Sequence, residues 1–222
     1  VNGRLLPDVP RPVAMAVPPA MRLDAAELDF SIPAGGARMR VIRAVADQVV
    51  TGCEIMPVVE SGGLAVADVK RDILKLAVVD RYSGEARTGL GFVTGLGLKR
   101  GALASSVAHD SHNIIVVGAA DADMKAAVAR IAAMGGGLAA VDGGRCMADL
   151  PLPIAGLMSD EPLETVRDRM DRLLAAAREL GAVLSDPFMT LGFLALPVIP
   201  DLKLTDKGLV DVARFDIVPL FA

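Results

Sequence analysis

Twice in its second half the chain repeats one order of elements, and that order restricts the folds open to it. An apolar run with strand character meets acidic residues, an amphipathic helix, glycine and a second apolar run. In the first copy, residues 113–117 lead through Asp121 to a helix carrying Met124, Val128, Ile131 and Met134, followed by Gly135, Gly136 and Gly137 and the run 138–141. In the second, residues 152–155 lead through an N-cap at Ser159 and Asp160 to a helix carrying Val166, Met170, Leu173, Ala177 and Leu180, then Gly181 and Val183. Apolar residues three and four apart give a helix one face to bury. Glu161 and Glu164 at its start and Arg178 at its end suit the helix dipole. Two strand-helix-strand units are expected.

Earlier in the chain, residues 39–45 and 48–51 read as strands. Val66, Val69, Ile73, Leu76 and Val79 recur at helical spacing, which predicts a first helix over 66–82. Residues 191–222 are strand-like, and Pro197 and Pro200 place them at sheet edges or crossings. The fold class expected is α+β: a mixed layered sheet with three principal helices. Six of the 14 prolines lie in the first 33 residues, so 1–33 reads as a connector, opening on the end of a β-hairpin with its turn at Asn2 and Gly3. Residues 34–222 are expected to form the compact unit.

With 53% apolar residues the chain can fill a large core. Its mean hydropathy is +0.48, yet runs such as 114–117 and 191–199 stop far short of a membrane span. A net charge of −4, dispersed Lys and Arg, no Trp and one Tyr argue against nucleic acid as a partner. Cys53 and Cys146 lie far apart without secretory features, which favours reduced thiols in small core or boundary positions and a cytoplasmic location.

Chemistry concentrates in one string. His109, Asp110, Ser111, His112 and Asn113 bring together both histidines of the chain and an acid, between two apolar strands. A loop at a strand end can present imidazole and carboxylate together for proton transfer, and the same residues can simply close a turn. A catalytic metal needs about three protein ligands. No third histidine exists, so no metal site and no bound cofactor are expected in this chain. The run Gly89 to Gly101 is glycine-rich enough to suggest a phosphate cradle, but it fits neither common nucleotide-loop spacing, and turns or close backbone packing explain it as well.

Specific strings go further. Asp72-Ile73-Leu74-Lys75, the segment 101–113 ending in His109-Asp110-Ser111-His112-Asn113, the segment 152–160 with Gly156-Leu157-Met158-Ser159-Asp160, the segment 194–200 and the segment 203–212 together resemble the C-terminal region of the bacterial adenine deaminases of the amidohydrolase superfamily. Tyr82, after Arg81, departs from that family, which commonly has His there. The resemblance implies that adenine is hydrolysed to hypoxanthine and ammonia in purine catabolism. It assigns the metal, manganese or iron, to an upstream barrel domain with a His-x-His pair that this chain lacks. This domain is then expected to pack on that barrel, to help close its active site, to form a homo-oligomer and to be inactive alone. His109 to Asn113 are the substrate-proximal candidates. Two other readings stay open: an independent nucleotide or phosphate binder using the Gly89 to Gly101 run, and a purely structural oligomerisation domain.

Overall fold

A computed structural model describes residues 21–222. The expected hairpin end around Asn2 and Gly3 lies outside the described residues. After a single 3-10 turn (Ala25–Glu27) come β1 (Arg38–Ala44), β2 (Thr51–Pro57), the short pair β3 (Glu60–Ser61) and β4 (Leu64–Ala65), β5 (Leu74–Val79), β6 (Thr88–Thr94), β7 (Ala102–Ser105) and β8 (Ile114–Gly118). Then follow α1 (Asp121–Ala133), β9 (Gly137–Asp142), β10 (Arg145–Pro151), α2 (Leu163–Glu179), α3 (Pro187–Leu194), β11 (Leu202–Thr205), β12 (Gly208–Asp211) and β13 (Asp216–Val218). This is α+β with three α-helices among the described residues.

The main sheet has eight strands in the order β10-β9-β7-β8-β5-β6-β1-β2. It is antiparallel except where β1 runs parallel to β6. Successive side chains in its central strands point to opposite faces, and both faces are covered. Leu74, Leu76, Leu103, Ile115, Val117, Leu138 and Ala140 pack with α2, α3 and the small sheet of β11, β12 and β13. Ala77, Val79, Ala104, Ile114, Val116, Ala139 and Val141 pack with α1 and with Leu28 and Phe30. Buried Lys75 crosses that second face: its ammonium donates to the Phe30 carbonyl at 2.8 Å and pairs with Asp121 at 2.7 Å.

Five local expectations are corrected. The helix over 66–82 is a tight turn followed by β5, because all six residues of β5 are buried and its apolar groups serve two faces. Spacing that resembled one helical stripe was a selection from a strand buried on both sides. The second repeat keeps its helix but not its strands. The strand before it is β10, ending at Pro151, while α2 starts at Leu163 without a side-chain cap and leads to α3, leaving Val183 72% exposed. Asp186 accepts from the Met189 amide at 2.9 Å and Pro187 opens α3, so 187–194 is a helix within the expected strand-like tail. Cys53 and Cys146 are both free and exposed, not core residues. The second strand begins at Thr51, where residues 48–51 had been expected to form it.

Candidate functional site

The polar string occupies the connection from β7 to β8, which are antiparallel neighbours in mid-sheet. The loop is anchored from below by Ser106, fully buried, whose hydroxyl accepts from the Gly137 amide at 2.8 Å and donates to the Gly156 carbonyl at 2.6 Å. Its first histidine leans on α3. The His109 amide donates to the Gly192 carbonyl at 3.2 Å, and the imidazole lies 4.9 Å from the Phe193 ring. Beside it a recess of about 110 Å³ is lined by Ser105, Val107, His109, Met170, Phe188 and Met189, among others.

His112 has its backbone at φ +53, and its amide donates to the Ala108 carbonyl at 2.6 Å. Its own carbonyl accepts from Arg81 Nε and from the Tyr82 hydroxyl at 3.3 Å. Arg81 is 1% exposed, stacks 4.6 Å above the Tyr82 ring and also donates to the Ala155 carbonyl at 2.9 Å. One guanidinium thus ties the histidine loop to the 153–158 turn. Burial lowers the Arg81 pKa, with Tyr82 acting in the opposite direction. Gly156 makes this contact possible, since a Cβ there would sit 2.4 Å from Arg81 Nη1 and the backbone stands at φ +75.

Burial also holds the His112 imidazole below its ordinary pKa; the neighbouring His109 and Arg81 add to this, and Asp110 opposes it. His112 Nδ1 lies in the interior with no hydrogen-bond partner among the described residues. Asn113 is buried as well. Its amide nitrogen donates to Asp206 at 3.2 Å, while its Oδ1 has no partner. Asp206 continues to Arg87 at 3.0 Å, and Arg87 reaches Asp80 at 3.3 Å. Asp110 and Ser111 are exposed and border a second recess of about 250 Å³ with Pro197, Val198 and Lys207.

The structure therefore brings the two imidazoles to 6.1 Å between ring centroids but sends His109 and Asp110 to different recesses. Among the described residues no three His, Cys, Asp or Glu side chains converge as metal ligands do. Arg81 and α3 were missed in the sequence. A lone arginine closing the apolar strand β5 and the Asp186-Pro187 helix start were the signals available for them.

The glycine-rich run resolves differently. The Asp72 carboxylate accepts from the Gly95 amide at 2.6 Å and from the Gly97 amide at 2.7 Å, so the chain's own acid fills the place a phosphate would take. Upstream, Gly89 lies so close to the Thr205 carbonyl that a Cβ would overlap it at 1.9 Å. Close packing accounts for these glycines.

No helix among the described residues is long and apolar enough to cross a membrane. Residues 48–216 match the family described as the adenine deaminase C-terminal domain. The chain is 59% identical over 91% of its length to an adenine deaminase of Desulfatibacillum aliphaticivorans, covering 36% of that protein. It is 48% identical over 99% of its length to one of Syntrophobacter fumaroxidans, covering 38%. A relative from Methanothrix thermoacetophila is 50% identical over 90% of the chain, which covers 35% of it. The chain thus spans little more than a third of the length of these curated relatives.

Proposed function

This chain belongs to the adenine deaminase C-terminal domain family, and from that premise we propose that it completes a longer enzyme that hydrolyses adenine to hypoxanthine and ammonia. Its part is to cover the active site of a barrel domain supplied elsewhere in the same protein. The carrying observation is the setting of the histidine loop. His109 rests on α3, a helix without a charged residue, whose Met189 is 56% exposed. Val49 and Val198 add exposed apolar surface beside the neighbouring recesses. A helix apolar on all sides is normally enclosed by protein, and apolar surface of this kind marks a contact face. Two imidazoles and a carboxylate set in such a face are placed to meet whatever covers it.

Within that arrangement His109, Asp110 or His112 contacts adenine, an ordered water or the outer shell of a metal ligand. The His112 ring, held below its ordinary pKa by burial, can serve as a neutral donor or acceptor, and Asn113 offers an acceptor left unused among the described residues. Manganese or iron is the metal the family resemblance assigns to the barrel. Among the described residues no ligand trio converges to fit one, and no chemical step assigned to this chain runs through a metal. On this reading the 222-residue chain alone is expected to release no ammonia from adenine even with added manganese or iron.

The test is to change His109 and His112 singly to Asn in the full-length protein and to compare kcat/KM, metal content and Tm. A fall of about 10 to 100-fold in kcat/KM with Tm and metal content preserved is expected for groups acting just outside a metal centre. Unchanged kinetics in both variants would reduce the loop to a turn.

A further inference from the structure

Three arginines meet at one edge of the main sheet. α1 and α2 lie on opposite faces of the main sheet, and β10 forms its border. Arg130 reaches over that border from α1, Arg169 and Arg172 reach over it from α2, and with Cys146 and Asp149 of β10 they line a notch of about 320 Å³. Asp149 is the organiser. Its side chain is 14% exposed, and its carboxylate accepts from Arg130 Nε at 2.8 Å and Nη2 at 2.6 Å, and from Arg169 Nη1 at 3.2 Å.

Two guanidinium groups satisfy that carboxylate. The third, Arg172, has no hydrogen bond or ion pair with any described residue, and the nearby Asp168 is taken by its neighbour Arg167 at 2.8 Å. Three cations against one anion leave the notch with a surplus of two positive charges. Arg130 and Arg169 keep N–H groups beyond those used on Asp149, and their forks are held in place by it. Planar guanidinium groups fixed in this way suit tetrahedral oxyanions, which accept several charge-assisted hydrogen bonds at once. A purely structural clamp between α1 and α2 has no use for Arg172.

We propose that this notch binds a phosphate-bearing anion, either free phosphate or a phosphate monoester, with Arg172 and the unused N–H groups of Arg130 and Arg169 as its donors. The site shares no residue with the histidine loop, so it stands or falls separately from the function proposed above.

Inorganic phosphate is titrated calorimetrically into the full-length protein near neutral pH, with ionic strength held constant by sodium chloride. Saturable binding is expected, weakened at least about tenfold in Arg172→Gln, since one charge-assisted contact is lost. Arg172→Gln leaves both Asp149 pairs in place, so the fold is expected to survive, and an unchanged Tm verifies it. Alkylation of Cys146, followed by peptide mass spectrometry, should slow when phosphate occupies the notch. A parallel titration with adenosine monophosphate separates the sources: tighter binding than phosphate, lost in the same variant, identifies a monoester, and weaker binding identifies the free ion. Absence of saturation with either probe, or equal affinity in Arg172→Gln, overturns the proposal.

Discussion

Two segments of this chain, 89–101 and 105–113, look from sequence like places where a ligand could bind, and the structure treats them in opposite ways. In the glycine-rich segment the freed amides of Gly95 and Gly97 are bonded to Asp72, and Gly89, Gly95 and Gly101 abut other backbone. In the histidine loop the backbone is firmly held by Arg81, Ser106 and α3, yet His112 Nδ1 and Asn113 Oδ1 are left without partners. Buried polar atoms rarely stay unpaired. Glycine content is therefore a poor guide to binding here, whereas a fixed frame around unused donors and acceptors is a better one. The arginine notch obeys the same rule, with Asp149 as the frame and Arg172 as the unused group.

The largest effect should come from opening the closed segment. Asp72→Ala strands two amides, each costing about 1–3 kcal/mol, and puts Ala at φ +55, which costs about 1 more. A loss of about 3–7 kcal/mol in urea unfolding is expected, while kcat/KM per folded molecule of the full-length enzyme stays unchanged. Asp72→Asn keeps an acceptor and tolerates the backbone, so it should lose much less. Equal losses in the two variants would show that the carboxylate is not what closes this segment.

The contrast also explains what could be read in advance. The order β8, α1, β9 was legible because Asp121 starts the helix and Gly135, Gly136 and Gly137, all at positive φ, end it. β5 was misread since a strand buried on both faces has no alternation to display. α3 was hidden because eight residues without a charge have no polar face, leaving Asp186 and Pro187 as the only signal. The histidine loop was placed correctly at a strand end, as polar residues interrupting two apolar runs can hardly sit elsewhere. Its support was illegible: Arg81 acts over 31 residues to His112 and 74 to Ala155, and no local pattern encodes such pairings.

A second variant disturbs the frame of the open loop rather than its unused atoms. Gly156→Ala sets a methyl carbon against Arg81 Nη1 at a backbone angle that favours glycine. The guanidinium must move, releasing the carbonyls of His112 and Ala155 together. A loss of about 2–4 kcal/mol is expected from strain and broken buried contacts. Proton exchange at the His112 amide should quicken more than exchange in β8 as a whole. Uniform acceleration throughout the domain would mean that Arg81 supports the fold generally and gives the loop no special fixity.

The smallest effect concerns the proton on His112. Burial, His109 and Arg81 keep its folded-state pKa below the ordinary value near 6.5, against the pull of Asp110. The unfolded imidazole therefore takes up a proton more readily than the folded one. Stability contributed by the neutral ring is complete above about pH 6.5 and is lost as pH falls through the folded value, with a slope below about 1.4 kcal/mol per pH unit for one group. Asn at this position accommodates φ +53 and carries no titrating group. Urea midpoints measured between about pH 5 and 8 should thus decline less steeply on acidification in His112→Asn than in the parent. Parallel curves would place the ring in water, and the histidine loop would then be as fully satisfied as the glycine-rich segment it is contrasted with.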